Sequence, residues 1–349
     1  MKRITMQDVA DELNISRVTV WKVLNNQPGV SDVLVNQIYN KAREMGYFKQ
    51  GQTGKAPAMS SMESAELSDS AISTVSVVVS RPESALFWMN IIHQIAKELD
   101  KSGVNLMYTY LPSKMTPGYS LPSALTNGSI QGMVVLNVYD YDLINALNDL
   151  KVPKVFLDMV ADIPYDKVTG DLFLLEGRSC IRKITNEIIR RGRTEIGFIG
   201  DTHYAITNKE RYEGYLDAMT QNQLKVNPEI CLTGDIGIYT YREEIHAFLA
   251  GLKKLPGAFV CVSDYVAYFV LQYLNDHDIR VPEDIAISGF DASTEYPGIA
   301  DRLTTVEVQT RNLGVRLAKQ LLYRIQYPDT STEVTYINSN IIYGETTNF

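Results

Sequence analysis

Over residues 1–48 apolar side chains recur at helical spacing. Met6, Val9, Ala10 and Leu13 fall at i, i+3, i+4 and i+7 and make one stripe of a short helix. Thr5 and Asp8 form an S/T-x-x-D/E start signal for it. Asn14-Ile15 interrupts the stripe, and Asn tolerates the left-handed backbone that a tight turn needs. Ser16 then caps a second helix whose Val20, Val23 and Leu24 share one face, which turns Arg17, Val18, Trp21 and Lys22 the other way. Asn25-Asn26-Gln27-Pro28-Gly29 ends that helix, and Ser31 caps a third carrying Leu34, Ile38, Ala42 and Met45, stopped by Gly46. The pattern predicts a compact three-helix domain.

From Lys49 to about Ser73 the periodicity is lost among Gly51, Gly54, Pro57 and the serines at 60, 61, 64, 68 and 70, a composition that predicts a flexible linker over 49–73. Ala58 to Leu67 can form a turn or two of helix without a strong cap. Beyond it, apolar runs alternate with helical patterns: Val75–Val79, Leu106–Tyr110, Met133–Leu136, Val155–Leu157, Ile196–Ile199, Phe259–Val262 and Ile285–Ser288. Phe87, Ile91, Ile95 and Leu99 at i+4 spacing typify the intervening helices, as do Leu313, Leu317 and Leu321. Parallel α/β architecture follows, with room for two βα arrays over 74–349.

Composition sharpens this picture. A chain of 349 residues exceeds one ordinary core, and 45% hydrophobic against 21% charged residues suffices to fold most of it. The net charge is −8, but residues 1–50 hold seven basic side chains against five acidic, while the other 299 hold 26 against 36. Only the N-terminal segment favours a polyanion. There is no apolar run of membrane-spanning length, and Met1-Lys2-Arg3 leads into a mixed polar segment, so a soluble cytoplasmic protein is expected. Cys180, Cys231 and Cys261 stand far apart and read as small buried hydrophobes. His93, His203, His246 and His277 are scattered without metal-ligand spacing, and no G-x-G-x-x-G, P-loop or G-x-S-x-G is present. An enzyme is not expected, nor a metal or cofactor.

Two short helices with polar and basic residues at the start of the second make the geometry that seats a recognition helix in the major groove. Asp8-Val9-Ala10, Ile15-Ser16-x-x-Thr19-Val20, Val23-Leu24-Asn25, Val30-Ser31 and Gly46-Tyr47 all fall in register. With them the segment resembles the LacI-type family (LacI/GalR) of transcriptional regulators. The likeness continues through Arg191-Gly192-Arg193, Ile196 to Gly200, Arg211-x-x-Gly214-Tyr215, Val281 to Ile285, Gly289-Phe290-Asp291 and Leu303 to Val306.

The resemblance implies an all-α helix-turn-helix headpiece followed by a periplasmic-binding-protein-like α/β sensor of two doubly wound parallel-sheet lobes, working as a homodimer. Lobe 1 is expected over about 74–160 and 292–325, lobe 2 over about 161–291 and 326–349. Double-stranded, pseudo-palindromic operator DNA is the implied partner, and a small-molecule effector bound between the lobes would modulate affinity for it. A repressor is the expected form. The alternative is a DNA-binding protein independent of effector, whose sensor-like domain serves only dimerisation.

Carried over by position, Arg17, Val18 and Lys22 would face base edges, with Lys22 where the family usually has Arg. Thr5, Ser16, Thr19, Asn25 and Ser31 suit phosphate oxygens, with helix capping as the competing role. Trp21 replaces a small residue and either wedges against sugar-phosphate or packs on a neighbouring helix. No counterpart of the family's hinge Leu follows Tyr47. In the sensor, Trp88, Arg211 and Asp291 fall at effector-contacting positions, and an aromatic plate with a guanidinium and a carboxylate suits a sugar. Asp264 caps its helix or lines the cleft. Ala205, Ile236 and Glu176 depart from the family pattern.

Overall fold

The computed structural model describes residues 4–24, 30, 32–45, 47, 73–80, 85–296 and 298–349. Asn25, Ser31 and the Ala58–Leu67 segment lie outside the described residues. The chain divides into two compact units, Met1–Ala71 and Ile72–Phe349.

In the first unit, α1 (Met6–Glu12), α2 (Arg17–Leu24) and α3 (Asp32–Glu44) stand where the apolar stripes put them. The Thr5 hydroxyl accepts from the Asp8 amide at 3.3 Å and the Asp8 carboxylate accepts from the Thr5 amide at 2.7 Å, a reciprocal capping box. Asn14 turns the chain at φ 52°. Ser16 Oγ accepts from the Thr19 amide at 3.1 Å and starts α2. Val9, Ala10, Val20, Val23, Ile38, Tyr39 and Ala42 form the core. The buried Tyr39 hydroxyl donates to the Val23 carbonyl at 3.1 Å, tying α3 to the end of α2. Nothing in the hydrophobic periodicity marks that bond.

The second unit runs β1 (Thr74–Val79), α4 (Ala85–Asp100), β2 (Asn105–Tyr110), α5 (Ser123–Thr126), β3 (Gly132–Leu136), α6 (Tyr141–Asp149), β4 (Lys154–Leu157) and β5 (Asp171–Leu175). There follow α7 (Arg178–Arg190), β6 (Ile196–Ile199), α8 (Ile206–Gln221), α9 (Tyr241–Gly251), β7 (Ala258–Cys261), α10 (Asp264–Asp276) and β8 (Ala286–Ser288). The chain ends with β9 (Thr305–Glu307), α11 (Thr310–Gln326), β10 (Val334–Ile337) and β11 (Asn340–Ile342). Six parallel strands in the order β10-β5-β4-β3-β1-β2 make the first sheet. The parallel trio β6-β7-β8 makes the second, and an antiparallel β9-β11 pair adjoins it through a bridge between Ser288 and Thr304. The buried strands read as near-continuous apolar runs because helices cover both faces. On the first sheet α11 packs against α4, and a Cβ at Gly314 would lie 2.6 Å from the Ile91 carbonyl oxygen, so only glycine permits that approach.

The lobe boundaries expected from sequence are corrected by this topology. β5 and β10 belong to the first sheet, while β9 belongs with the second. The chain therefore passes between lobes after Leu175, after Glu307 and after Ile337. A buried ion pair explains the placement of β5 and β10: Arg324 of α11 donates to both oxygens of Asp171, the first residue of β5. Gln320 and the Glu333 amide also donate to Asp171, at 2.7 and 2.9 Å, and Arg324 donates to the Ser331 carbonyl at 2.8 Å. A dry ion pair is tolerated when its remaining donors and acceptors are satisfied in this way.

Candidate functional site

The headpiece presents Ser16, Arg17, Val18, Thr19, Trp21 and Lys22 on or beside one short helix, α2, while Thr5 starts α1. Val18 is 62% exposed and Trp21 48%, an unusual exposure for large apolar groups. Arg17 is exposed beside them, with Thr19 and Lys22 half-buried. Ser16 and Thr19 hydroxyls bond each other at 2.8 Å. Thr5 and Ser16 are both occupied as helix starts, the capping role left open above, and their hydroxyl lone pairs leave capacity for a phosphate contact as well.

In the second unit a cleft opens at the carboxyl ends of the strands of both sheets, the usual place for a ligand in a parallel α/β fold. Asn137 follows β3, Asp158 follows β4, Leu175 ends β5, Ser263 follows β7 and Asp291 follows β8. Asn137 and Asp158 take left-handed conformations, φ 55° and 60°, that turn the chain sharply as it leaves the sheet. The space of the cleft, counted together with the open solvent at its mouth, is about 920 Å³. Lobe 1 contributes the rings of Phe87, Trp88 and Tyr139 to it, and lobe 2 those of Tyr204, Tyr241, Tyr265 and Tyr296. Tyr139 and Tyr204 meet across the opening with centroids 4.2 Å apart.

Trp88, Arg211 and Asp291 are thus brought together, as the resemblance implies. Arg211 on α8 is buried; its Nη1 donates to the Val262 carbonyl at 2.8 Å and its guanidinium stacks 3.6 Å above the Phe290 ring. Asp291 lies 3.8 Å away, beyond hydrogen-bond distance, and the buried Nε–H of Arg211 has no partner among the described residues. Burial pushes the Asp291 carboxyl up to about 6, with Arg211 opposing. Asp158, which sequence reasoning missed, accepts from the Met159 amide at 2.9 Å and from the Thr207 hydroxyl of the opposite lobe. Its burial raises its pKa.

Asp264 is placed differently from either expectation. Ser263 is the helix cap, accepting from the Val266 amide, and Asp264 does not line the cleft. It sits 2% exposed behind it, accepting from Thr305 Oγ1 at 2.6 Å and the Ser293 amide at 2.8 Å. Burial, reinforced by the nearby Asp291, pushes it up to about 8. Ala205 lines the cleft, whereas Ile236 is buried outside it and Glu176 holds the Ser179 amide at the start of α7. Among the described residues Asp201, His203 and Asp235 form a group whose ligand atoms lie within 4.8 Å of one another. The two oxygens of Asp201 already accept from the His203, Tyr204 and Ile236 amides. Among the described residues no helix is long and apolar enough to cross a membrane.

Comparison with known proteins agrees with both units. Residues 5–50 match the family described as bacterial regulatory proteins, lacI family, and residues 185–347 match the periplasmic binding protein-like domain. The chain is 26% identical over 328 residues to the HTH-type transcriptional repressor PurR of Actinobacillus pleuropneumoniae serotype 3 (strain JL03), covering 93% of this chain and 92% of that protein. It is 25% identical over 340 residues to the HTH-type transcriptional repressor PurR of Pasteurella multocida (strain Pm70), covering 97% of each. In fold it is similar to a transcriptional regulator CelR-cellobiose complex, with a TM-score of 0.68 at 21% identity over 99% of this chain and 100% of that one. It is similar also to the lac repressor dimer bound to operator and the anti-inducer ONPF, with a TM-score of 0.65 at 19% identity over 99% of each.

Proposed function

Because this chain belongs to the LacI-type family of DNA-binding transcriptional regulators, we propose that it is a repressor whose hold on its operator is set by a small polyhydroxylated molecule in the sensor cleft. Two headpieces of a homodimer would each cover one half of a pseudo-palindromic site, since a two-fold dimer imposes its symmetry on the DNA it reads. Arg17, Val18 and Lys22 read base edges in this proposal, Trp21 packs against the backbone, and Thr5, Ser16 and Thr19 fix register through phosphates. Asn25 and Ser31 are assigned to phosphates on the resemblance alone.

The observation that carries the ligand class is the cleft itself: rings from both lobes beside a buried guanidinium with an unsatisfied Nε–H and a carboxylate at its edge. Hydroxyl groups both donate and accept, so one sugar can satisfy Arg211 and Asp291 together while a ring of the wall stacks on its apolar face.

Thermal-shift measurement against sugars and nucleobases tests the reading, because a ligand of the native state alone stabilises it by about 2.7 kcal/mol at a hundredfold excess over Kd. Sequencing of DNA fragments bound with and without the ligand completes it. A sugar that raises the sensor transition and changes operator occupancy is the expected result. A nucleobase response in its place would replace the ligand class, and no response with unchanged operator binding would leave the sensor as a dimerisation module.

A further inference from the structure

One contact joins the lobes at the cleft wall and is not explained by either sheet. The Glu295 carboxylate accepts from the Leu86 amide at 2.9 Å, across 209 positions of sequence. Leu86 is the second residue of α4, in lobe 1, and Glu295 belongs to the loop that follows Asp291, in lobe 2. Amides of a helix's first turn have no partner within the helix, and the positive end of the helix dipole favours a carboxylate there.

Both ends of this bond are fixed to something that matters. The Glu295 amide donates to Ser293 Oγ at 3.3 Å, and the Ser293 amide donates to the buried Asp264 at 2.8 Å, which anchors the loop to the start of α10. On the other side, Phe87 and Trp88 follow Leu86 directly, pack edge to face at 5.0 Å and line the cleft. The lobes also meet at the cleft floor, where the Ile206 amide donates to the Met159 carbonyl at 2.9 Å and Thr207 bonds Asp158. Those floor contacts hold α8 to the end of β4 and do not reach α4.

We propose that Glu295 is a positioning residue of the cleft: its carboxylate, carried by lobe 2, caps α4 of lobe 1 and thereby holds Phe87 and Trp88 in the wall when the lobes are shut. The inference rests on the cleft being the binding site but not on the class of molecule it takes. Loss of the cap frees the first turn of α4, while the floor contacts, the Tyr139–Tyr204 pair and the Tyr336–Glu210 bond between the lobes stay in place.

The sequence contains two tryptophans, Trp21 and Trp88, so in a full-length Trp21→Phe protein the emission comes from the cleft wall. Acrylamide quenching of Trp88 is then measured without ligand in that protein and with Glu295→Ala or Glu295→Gln added. The expected result is a rise in the quenching constant of about twofold for Glu295→Ala, with a smaller rise for Glu295→Gln, which keeps an acceptor and loses the charge. Raising salt should increase quenching in the Glu295 protein and leave Glu295→Ala unchanged, because screening weakens only the charged cap. Equal quenching in all three proteins, or equal salt dependence, overturns the proposal. If Glu295→Ala fails to fold, the isosteric Glu295→Gln and the salt series decide. A sugar that stabilises the protein while quenching is unaffected by the substitutions removes the cap and leaves the sugar reading standing; the opposite pattern does the reverse.

Discussion

The headpiece carries its base-reading candidates, Arg17, Val18 and Lys22, on one eight-residue helix, Arg17–Leu24, whereas the cleft draws Trp88 from α4, Arg211 from α8 and Asp291 from the end of β8. Among the described residues the headpiece core is seven buried side chains, and the sensor buries two much larger clusters. A site on one helix is specified by local periodicity and rests on little packing. A site between two sheets is specified by topology, and each side chain in it is held by several neighbours. Sequence reasoning and mutational sensitivity should differ between the two units for this one reason.

The difference is broken most severely by removing the same volume from each core. Ile38 and Ile91 are both fully buried. Truncating either to Ala costs about 2–5 kcal/mol. That is comparable to the whole stability of a domain as small as the headpiece. Ile38→Ala should therefore unfold the headpiece and abolish operator binding while the sensor transition stays in place. Ile91→Ala should lower the sensor's melting temperature and leave it folded. Calorimetry beside gel-shift titration checks this, and a headpiece that survives Ile38→Ala would show that its stability does not come from this core.

Legibility from the sequence follows the same division. All three headpiece helices, and the runs that became β1 to β4 and β6 to β8, stand within a residue or two of their expected places, since each is a long enough signal for its period. β5 was missed although Leu172-Phe173-Leu174-Leu175 is an apolar run; the charged Asp171 before it hides that it enters a sheet, and its partner Arg324 is supplied only by the fold. β9, β10 and β11 are three or four residues long and mix polar with apolar positions, so pairing and not periodicity creates them. In the cleft, family position found Arg211 and Asp291, but Asp158, Thr207 and the Tyr139–Tyr204 pair needed two lobes to meet. Asp264 was misjudged because a carboxylate at a helix start reads as a cap when its acceptors' partners, Ser293 and Thr305, are distant in sequence.

A smaller effect probes the two sites rather than the two cores. Arg211→Lys keeps the charge but loses the planar face over Phe290, and it is expected to weaken the sugar that stabilises the parent protein by about a hundredfold, roughly 3 kcal/mol. Titration calorimetry reads it. On the headpiece, Lys22→Ala should cost about 1–3 kcal/mol on the specific operator and much less on unrelated DNA. Ser16→Ala should weaken both by a similar factor, since its assigned partner is phosphate. Uniform loss for Lys22→Ala would transfer that residue to the phosphate group and make the two helix positions alike.

The smallest effect is a dependence on pH that should appear in one unit alone. Asp264 and Asp291 are pushed up to about 8 and about 6 by burial, from an ordinary value near 3.8. Among the described headpiece residues the resolved shifts are upward ones of Tyr39 and Lys41, from ordinary values already near 10. A carboxyl whose folded pKa is raised holds its proton more tightly when folded, so its contribution is fully present below about 4 and is lost as pH rises through the folded value. The sensor transition should therefore fall between about pH 4 and pH 8, through both Asp291 and Asp264 up to about pH 6 and through Asp264 without Asp291 above it, while the headpiece transition is expected to stay level over the window from pH 6 to 8. Asp264→Asn tests the upper part. Its amide oxygen can accept from the Ser293 amide and its nitrogen can donate to Thr305 Oγ1, preserving both bonds without an ionisable group. Calorimetry across pH should show the decline between about 6 and 8 flattened in Asp264→Asn and retained in the parent. If the two proteins decline in parallel, the proton is held elsewhere, and the pH response does not separate the units through this carboxylate.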